Sequence, residues 1–169
     1  MASMKEVLAA LKEYGAGRVV SCPVFPVVIP GIAAVDAFDA NDCFGTVVTI
    51  SVPVRGVIYS ATFWDYDDEG TQIDLEVFKE PIVQTASDAA WAPSDGDMRK
   101  FVAEIQFFAF DDHINSQTSE VKNIGKAYTA PGGKLYIQAV CRSTPTIAAG
   151  ASPEIQLQIL SDEPGWEER

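Results

Sequence analysis

Histidine occurs once, cysteine three times and basic residues only 12 times in these 169 residues, and each shortage narrows the function. The one histidine, His113, follows Asp111 and Asp112, but no Ser or Cys nucleophile elbow accompanies it, so it reads as a loop residue rather than part of a catalytic pair. Cys22, Cys43 and Cys141 are odd in number and form no CxxC or His-rich spacing, which points away from a disulfide framework and from zinc and toward buried thiols. There is no GxGxxG, no P-loop and no HExxH, and the sequence calls for no cofactor. With 24 acidic residues against 12 basic ones the net charge is −12, a surface that repels phosphate backbones and anionic lipid; neither nucleic acid nor membrane is an expected partner. No apolar run approaches the roughly 18 residues of a membrane span. The opening Met1-Ala2-Ser3-Met4-Lys5-Glu6 lacks the basic start and apolar stretch of a signal peptide, so synthesis in a cytoplasm is expected.

What is present is globular: 47% hydrophobic and 21% charged residues, in a length suited to one domain. Such a chain buries roughly two-thirds of its unfolded surface and needs no staple to fold. Met4, Val7, Leu8 and Leu11 recur at helical spacing behind a Ser3/Glu6 capping box, and Gly15 and Gly17 supply a stop. That helix is too short to stand alone and must dock. From Val19 to Ile32 the chain is rich in Val and Ile but interrupted by Pro23, Pro26 and Pro30. This predicts an extended arm or edge strand, because proline cannot donate to a central ladder. Leu8, Leu11, Val24, Phe25, Val27, Val28 and Ile29 are the candidate partner-binding residues of these two segments.

Strand patterns follow. Phe44 to Val52 is one run, and in the next Val57, Tyr59, Ala61 and Phe63 alternate with Ile58, Ser60, Thr62 and Trp64. Ile73, Leu75 and Val77 alternate with Asp74 and Glu76 as in a half-solvated strand. Val102 to Phe110 is a further apolar run. Leu135 to Cys141 and Ile155 to Ile159 alternate again. Asp68-Glu69-Gly70, Ser94-Asp95-Gly96-Asp97, Pro131-Gly132-Gly133 and Ala149-Gly150 supply turns, and helical turns fit 87–91 and 97–100. Many short strands without βαβ spacing predict a mainly all-β fold, an antiparallel β-sandwich of jelly-roll-like topology with a short N-terminal helix and a Pro-rich arm. The expected division is helix and arm over 1–33, sandwich over 34–161 and an acidic tail over 162–169, with Trp166 of the tail packing back on the domain.

Two constellations invite a chemical reading. Asp65, Asp67, Glu69, Gly70 and Glu76 fall at positions 1, 3, 5, 6 and 12 of an EF-hand loop, which makes Asp65, Asp67, Glu69 and Glu76 a weak calcium candidate. Strand patterns flank this loop where helices are required, and Gln72 takes an apolar place, so a solvated β-turn is the plainer reading. The pairs Asp65/Asp67 and Asp95/Asp97 sit on turns, whereas glycoside hydrolysis needs two acids held across a cleft. Trp64, Tyr66, Trp91, Phe107, Phe108 and Phe110 could stack sugars on a sandwich face, but strand aromatics serve mostly as core.

One pattern is familiar. Tyr59-Ser60-Ala61-Thr62-Phe63-Trp64-Asp65-Tyr66-Asp67, then Ile73-Asp74-Leu75-Glu76-Val77-Phe78, then Asp88-Ala89-Ala90-Trp91-Ala92-Pro93-Ser94-Asp95-Gly96-Asp97 resembles a group of tailed-bacteriophage virion proteins. The resemblance spans roughly residues 44 to 110. It implies a non-enzymatic structural protein of the particle, a capsid decoration or cement protein that binds the major capsid protein on the shell exterior as a dimer or trimer, made in the host cytoplasm. A tail or neck component, or a carbohydrate- or receptor-binding sandwich, are the alternatives. The resemblance carries no catalytic residues.

Overall fold

The computed structural model describes residues 18–33, 36–148 and 150–161. They form β1 (Arg18–Val28), β2 (Asp36–Ala37), β3 (Val48–Ser51), β4 (Arg55–Asp65), β5 (Ile73–Phe78), a one-turn α1 (Asp95–Met98), β6 (Phe101–Phe107), β7 (Asp111–Asp112), β8 (Gln117–Val121), β9 (Lys126–Thr129), β10 (Lys134–Cys141), β11 (Thr146–Ile147) and β12 (Glu154–Ser161). The protein is mainly β and all named pairings are antiparallel. One sheet runs β1-β12-β4-β8-β7, with β9 beside β4; a second runs β3-β10-β5-β6; β11 and β2 form a small third. The main pairs nest from the chain ends inward: β1 with β12, β3 with β10, β4 with β8 and β9, and β5 with β6. That order is consistent with the expected all-β antiparallel sandwich.

The core lies between the two large sheets. Alternation delivers Ile155, Leu157 and Ile159 of β12 and Ile58, Ala61 and Phe63 of β4 from one side. Ile73, Leu75 and Val77 of β5, Ile105 and Phe107 of β6, and Leu135, Ile137 and Ala139 of β10 meet them from the other. Phe63 is the hub, its ring centroid 5.6 Å from Phe107, 6.2 Å from Phe110 and 6.5 Å from Phe44.

Of the two forms expected for the segment after Val19, extended arm or edge strand, the chain takes the edge strand: Arg18 to Cys22 pair with Ser161 to Leu157, and Val27 and Val28 with Ile155 and Glu154. A division at residue 33 therefore cuts through the larger sheet. In β4 the alternation changes phase, because the β12 ladder passes from Ser60 to Ile58 and leaves Tyr59 unopposed. Ile58 is thereby 0% exposed and Tyr59 41%, the reverse of strict alternation. In β5, Asp74 and Glu76 are only 1% and 7% exposed, although the sequence reads as half solvated. The outer face of that sheet is covered. Chain 41–43 runs beside β10, bridged at Cys43 to Val140, and 88–91 pairs outside it, bridged at Ala90 to Asp42. Trp91 then reaches back over the sheet to pack edge-on against Phe78, with centroids 6.2 Å apart. Around 87–91 the chain makes a turn with Asp88 at φ 58° rather than a helical turn.

Candidate contact surface

The Pro-rich sequence of β1 shapes the exposed edge of the larger sheet. Pro23 and Pro26 offer no amide, so the ladder to β12 lapses between Cys22 and Val27. The Gln156 side-chain amide bridges the gap by donating to the Pro23 carbonyl at 2.9 Å. Phe25, within this lapse, is 79% exposed, an unusual place for so large an apolar group. Val28 is also exposed, whereas Val27 packs against the core and Ile29 is buried in it. Ile29 is thus a core residue and not a partner contact. Val24 lies in β1 without a described side chain, and the expected helix with Leu8 and Leu11 and the tail with Trp166 fall outside the described residues.

The register of four strands brings further apolar groups together. Val19 of β1 stands opposite Leu160 of β12, Leu160 opposite Val57 of β4, and Val57 opposite Ala127 of β9. They form one row across the solvent face, with Val19 and Leu160 exposed. Beside the row lies a cavity of about 370 Å³ lined by Arg55, Gly56, Tyr128, Thr129 and Ser161 as well as row residues. Gly56 keeps this region tight, since a Cβ there would come within 2.6 Å of Ile159 Cγ2 and 3.0 Å of the Tyr128 hydroxyl. The next rows are polar: Ser21–Gln158–Ser60 and Gln156–Thr62–Glu120. Of this surface only Phe25 and Val28 were singled out in sequence, as apolar residues of the proline-broken segment. The rest needs the register.

Charge separates this face from the remainder. Strands β1, β12 and β4 together hold Arg18 and Arg55 against Asp65 and Glu154, two of each sign, in a chain whose net charge is −12. A neutral, partly apolar sheet face can approach another protein without paying the repulsion that the acidic loops impose.

The other sequence candidates lie elsewhere and do not converge. The Asp65 carboxylate accepts the backbone N–H groups of Asp67 (2.9 Å), Glu69 (3.1 Å) and Gly70 (3.0 Å), so it organises its own turn. Asp67 accepts from the Ala148 amide at 2.8 Å. Desolvation, together with the charges of Asp67 and Asp65, raises the Glu69 carboxyl above its ordinary range. Glu76 stands on the covered face of β5. No group of three or more metal-ligating side chains occurs among the described residues. His113 is exposed, its Nε2 3.1 Å from Thr118 Oγ1, while the Asp112 carboxylate accepts from the Ile114 amide. Asp97 is consumed in a staple, accepting from Ser94, from Lys100 at 2.8 Å and from the Val83 amide. Burial pushes the Cys43 thiol up to about 11, which keeps it protonated and unreactive at neutral pH. Trp64 and Trp91 are half-buried and belong to different sheets, so they make no common stacking platform. Among the described residues no helix is long and apolar enough to cross a membrane.

No family model, characterised protein or solved structure matches the chain.

Proposed function

We propose that this chain is a structural protein of a tailed-bacteriophage particle, a non-enzymatic decoration protein that associates with copies of itself and attaches to the major capsid protein on the outer shell. The observation that carries the reading is the apolar row and the exposed Phe25 on strands that hold as many basic as acidic residues, in a protein that is otherwise strongly acidic. Copies that meet through this face bury Val19, Leu160 and their neighbours and keep the acidic loops apart. The resemblance of residues 59–67, 73–78 and 88–97 to virion proteins supplies the biological setting.

The two surfaces then divide the work. The neutral face joins copies, and the acidic loops, among them Asp67-Asp68-Glu69 and Asp111-Asp112, present charge to basic or mixed patches of the shell. A shell repeats its sites, so an oligomer that engages several gains strong attachment from weak single contacts. Sedimentation of the purified protein with shells that lack it tests this. Binding is expected to saturate at a fixed number of copies per shell and to weaken as salt rises from 50 to 500 mM, values chosen to span roughly a threefold change in Debye length. Absence of co-sedimentation at low salt, or binding indifferent to salt, contradicts it.

A further inference from the structure

The covered face of β5 carries a group of polar side chains whose hydrogen-bonding capacity does not close, and it has no part in the contact surface above. The ladder sets Gln138 of β10 opposite Glu76 of β5, and Glu76 opposite Glu104 of β6, so two carboxylates are direct cross-strand neighbours. Like charges so placed oppose one another. Two residues earlier on the same face of β5 stands Asp74. A single cation serves all three acids. The Arg142 Nε donates to Asp74 Oδ2, and its Nη2 lies 3.7 Å from both Glu76 and Glu104. Its Nη1 donates to the Asn41 side-chain carbonyl at 2.9 Å. Three carboxylates and one guanidinium leave two negative charges in excess on a face where Asp74 and Glu76 are shielded from water.

Two acceptors in this group have no donor among the described residues: Asp74 Oδ1 and Gln138 Oε1, both fully enclosed. The Gln138 amide is already committed, donating to the carbonyls of Gly45 at 3.2 Å and Ala139 at 2.9 Å. An enclosed acceptor without a donor costs about 1–3 kcal/mol. The excess negative charge and the surplus acceptors ask for the same thing, one additional proton.

We propose that Glu76 and Glu104, opposed across β5 and β6 and neighboured by Gln138, form a proton-binding site in which the pair shares one proton in the folded protein. The proton relieves the repulsion of the cross-strand pair and adds one O–H donor to a group rich in acceptors. Arg142 stays with Asp74, and the site is reduced to one net negative charge. Burial raises the Glu76 carboxyl above its usual 4.5, and the charge of Glu104 opposite adds to this; Arg142 pulls the other way, Asp74 raises it again and the Trp91 indole N–H, donating to Glu76, lowers it. Those are the charged and hydrogen-bonding groups facing Glu76 from β5 itself, from β6, from the end of β10 and from the covering segment.

The sign follows from linkage. A carboxyl whose folded value lies above its unfolded value stabilises the fold at low pH, and that contribution is lost as pH rises through the folded value. The test combines carboxyl NMR titration of the wild-type protein with melting of the E76Q, E104Q and E76Q/E104Q variants between pH 5 and pH 8. The Glu76 carboxyl is expected to titrate above 4.5. E76Q is expected to melt higher than wild type at pH 8, with the difference vanishing toward pH 5, and E104Q is expected to return the Glu76 titration toward the ordinary range. The double variant should gain less than the sum of the single ones, since either substitution already removes the repulsion. Titration of Glu76 at or below 4.5 overturns the proposal, whichever variants fold. So do additive gains, or an E76Q difference that does not change with pH.

Discussion

Val19→Glu combined with Leu160→Glu is expected to leave the protein folded, convert it to monomers and reduce its attachment to shells by at least about 30-fold. Both side chains are exposed on the solvent face and opposite one another in the β1–β12 ladder, so neither substitution opens the core. Glutamates at both places put negative charge in the centre of the face proposed to meet its own copy, where each charge would be counted on both sides of the contact. Burying an unpaired charge at an interface centre costs about 2 kcal/mol or more, which is a factor of about 30 in each contact. The attachment loss compounds this, because a monomer forfeits the gain of simultaneous engagement. Phe25→Asp, on the same edge strand, should act in the same direction. Val83→Asp is the control: Val83 is 75% exposed but lies in the connection that follows β5 of the other sheet, and its substitution should change neither assembly nor attachment. Light scattering and shell co-sedimentation read both effects. Full-strength attachment by a folded V19E/L160E protein would remove this face from the account.

The largest stability effect is expected at Phe63. Its ring is buried at the middle of the sandwich against Phe44, Phe107 and Phe110, which come from two other parts of the chain. Removing it at a site ringed by rigid strands leaves a cavity that cannot collapse, and Phe→Ala changes of this kind cost about 3–5 kcal/mol. For a chain of this size each kcal/mol lowers Tm by roughly 2–4 °C. Thermal melting of Phe63→Ala should therefore show a fall of roughly 10 °C, while Phe63→Leu, which refills part of the volume, should recover more than half of it. A change of less than about 2 °C would mean that the ring is not at the hub of the core.

Much of the fold was legible because three strands follow strict alternation. Ile155, Leu157 and Ile159, then Ile73, Leu75 and Val77, then Leu135, Ile137 and Ala139 all face inward as their period-two pattern requires. The prolines of β1 identified an edge, for the physical reason that they cannot donate to a second neighbour. What escaped the sequence depended on partners far along the chain. The phase change at Tyr59 exists only because β12 skips it. The burial of Asp74 and Glu76 depends on Arg142 and Trp91, which are remote in sequence and reach these carboxylates from beyond β5. Nothing local distinguishes a carboxylate in water from one beneath a later loop.

The contact surface shows the same limit. Phe25 and Val28 could be singled out as apolar residues in a proline-broken strand, yet Ile29 next to them turns inward, because a single residue decides the side of the sheet. The row Val19–Leu160–Val57–Ala127 is assembled from four strands and has no linear signature at all. The acidic loop 65–70, by contrast, looked chemical in sequence. It proves to be a turn whose first carboxylate is saturated by three backbone amides.

The central claim is that the chain is a repeated structural component of a virus particle. Quantitative mass spectrometry of purified particles from a phage encoding it, with copies counted against the major capsid protein, tests that most directly. The account predicts one copy per shell subunit or a simple fraction of it. A handful of copies per particle would place the protein in the tail or neck, and its complete absence from particles would contradict the account.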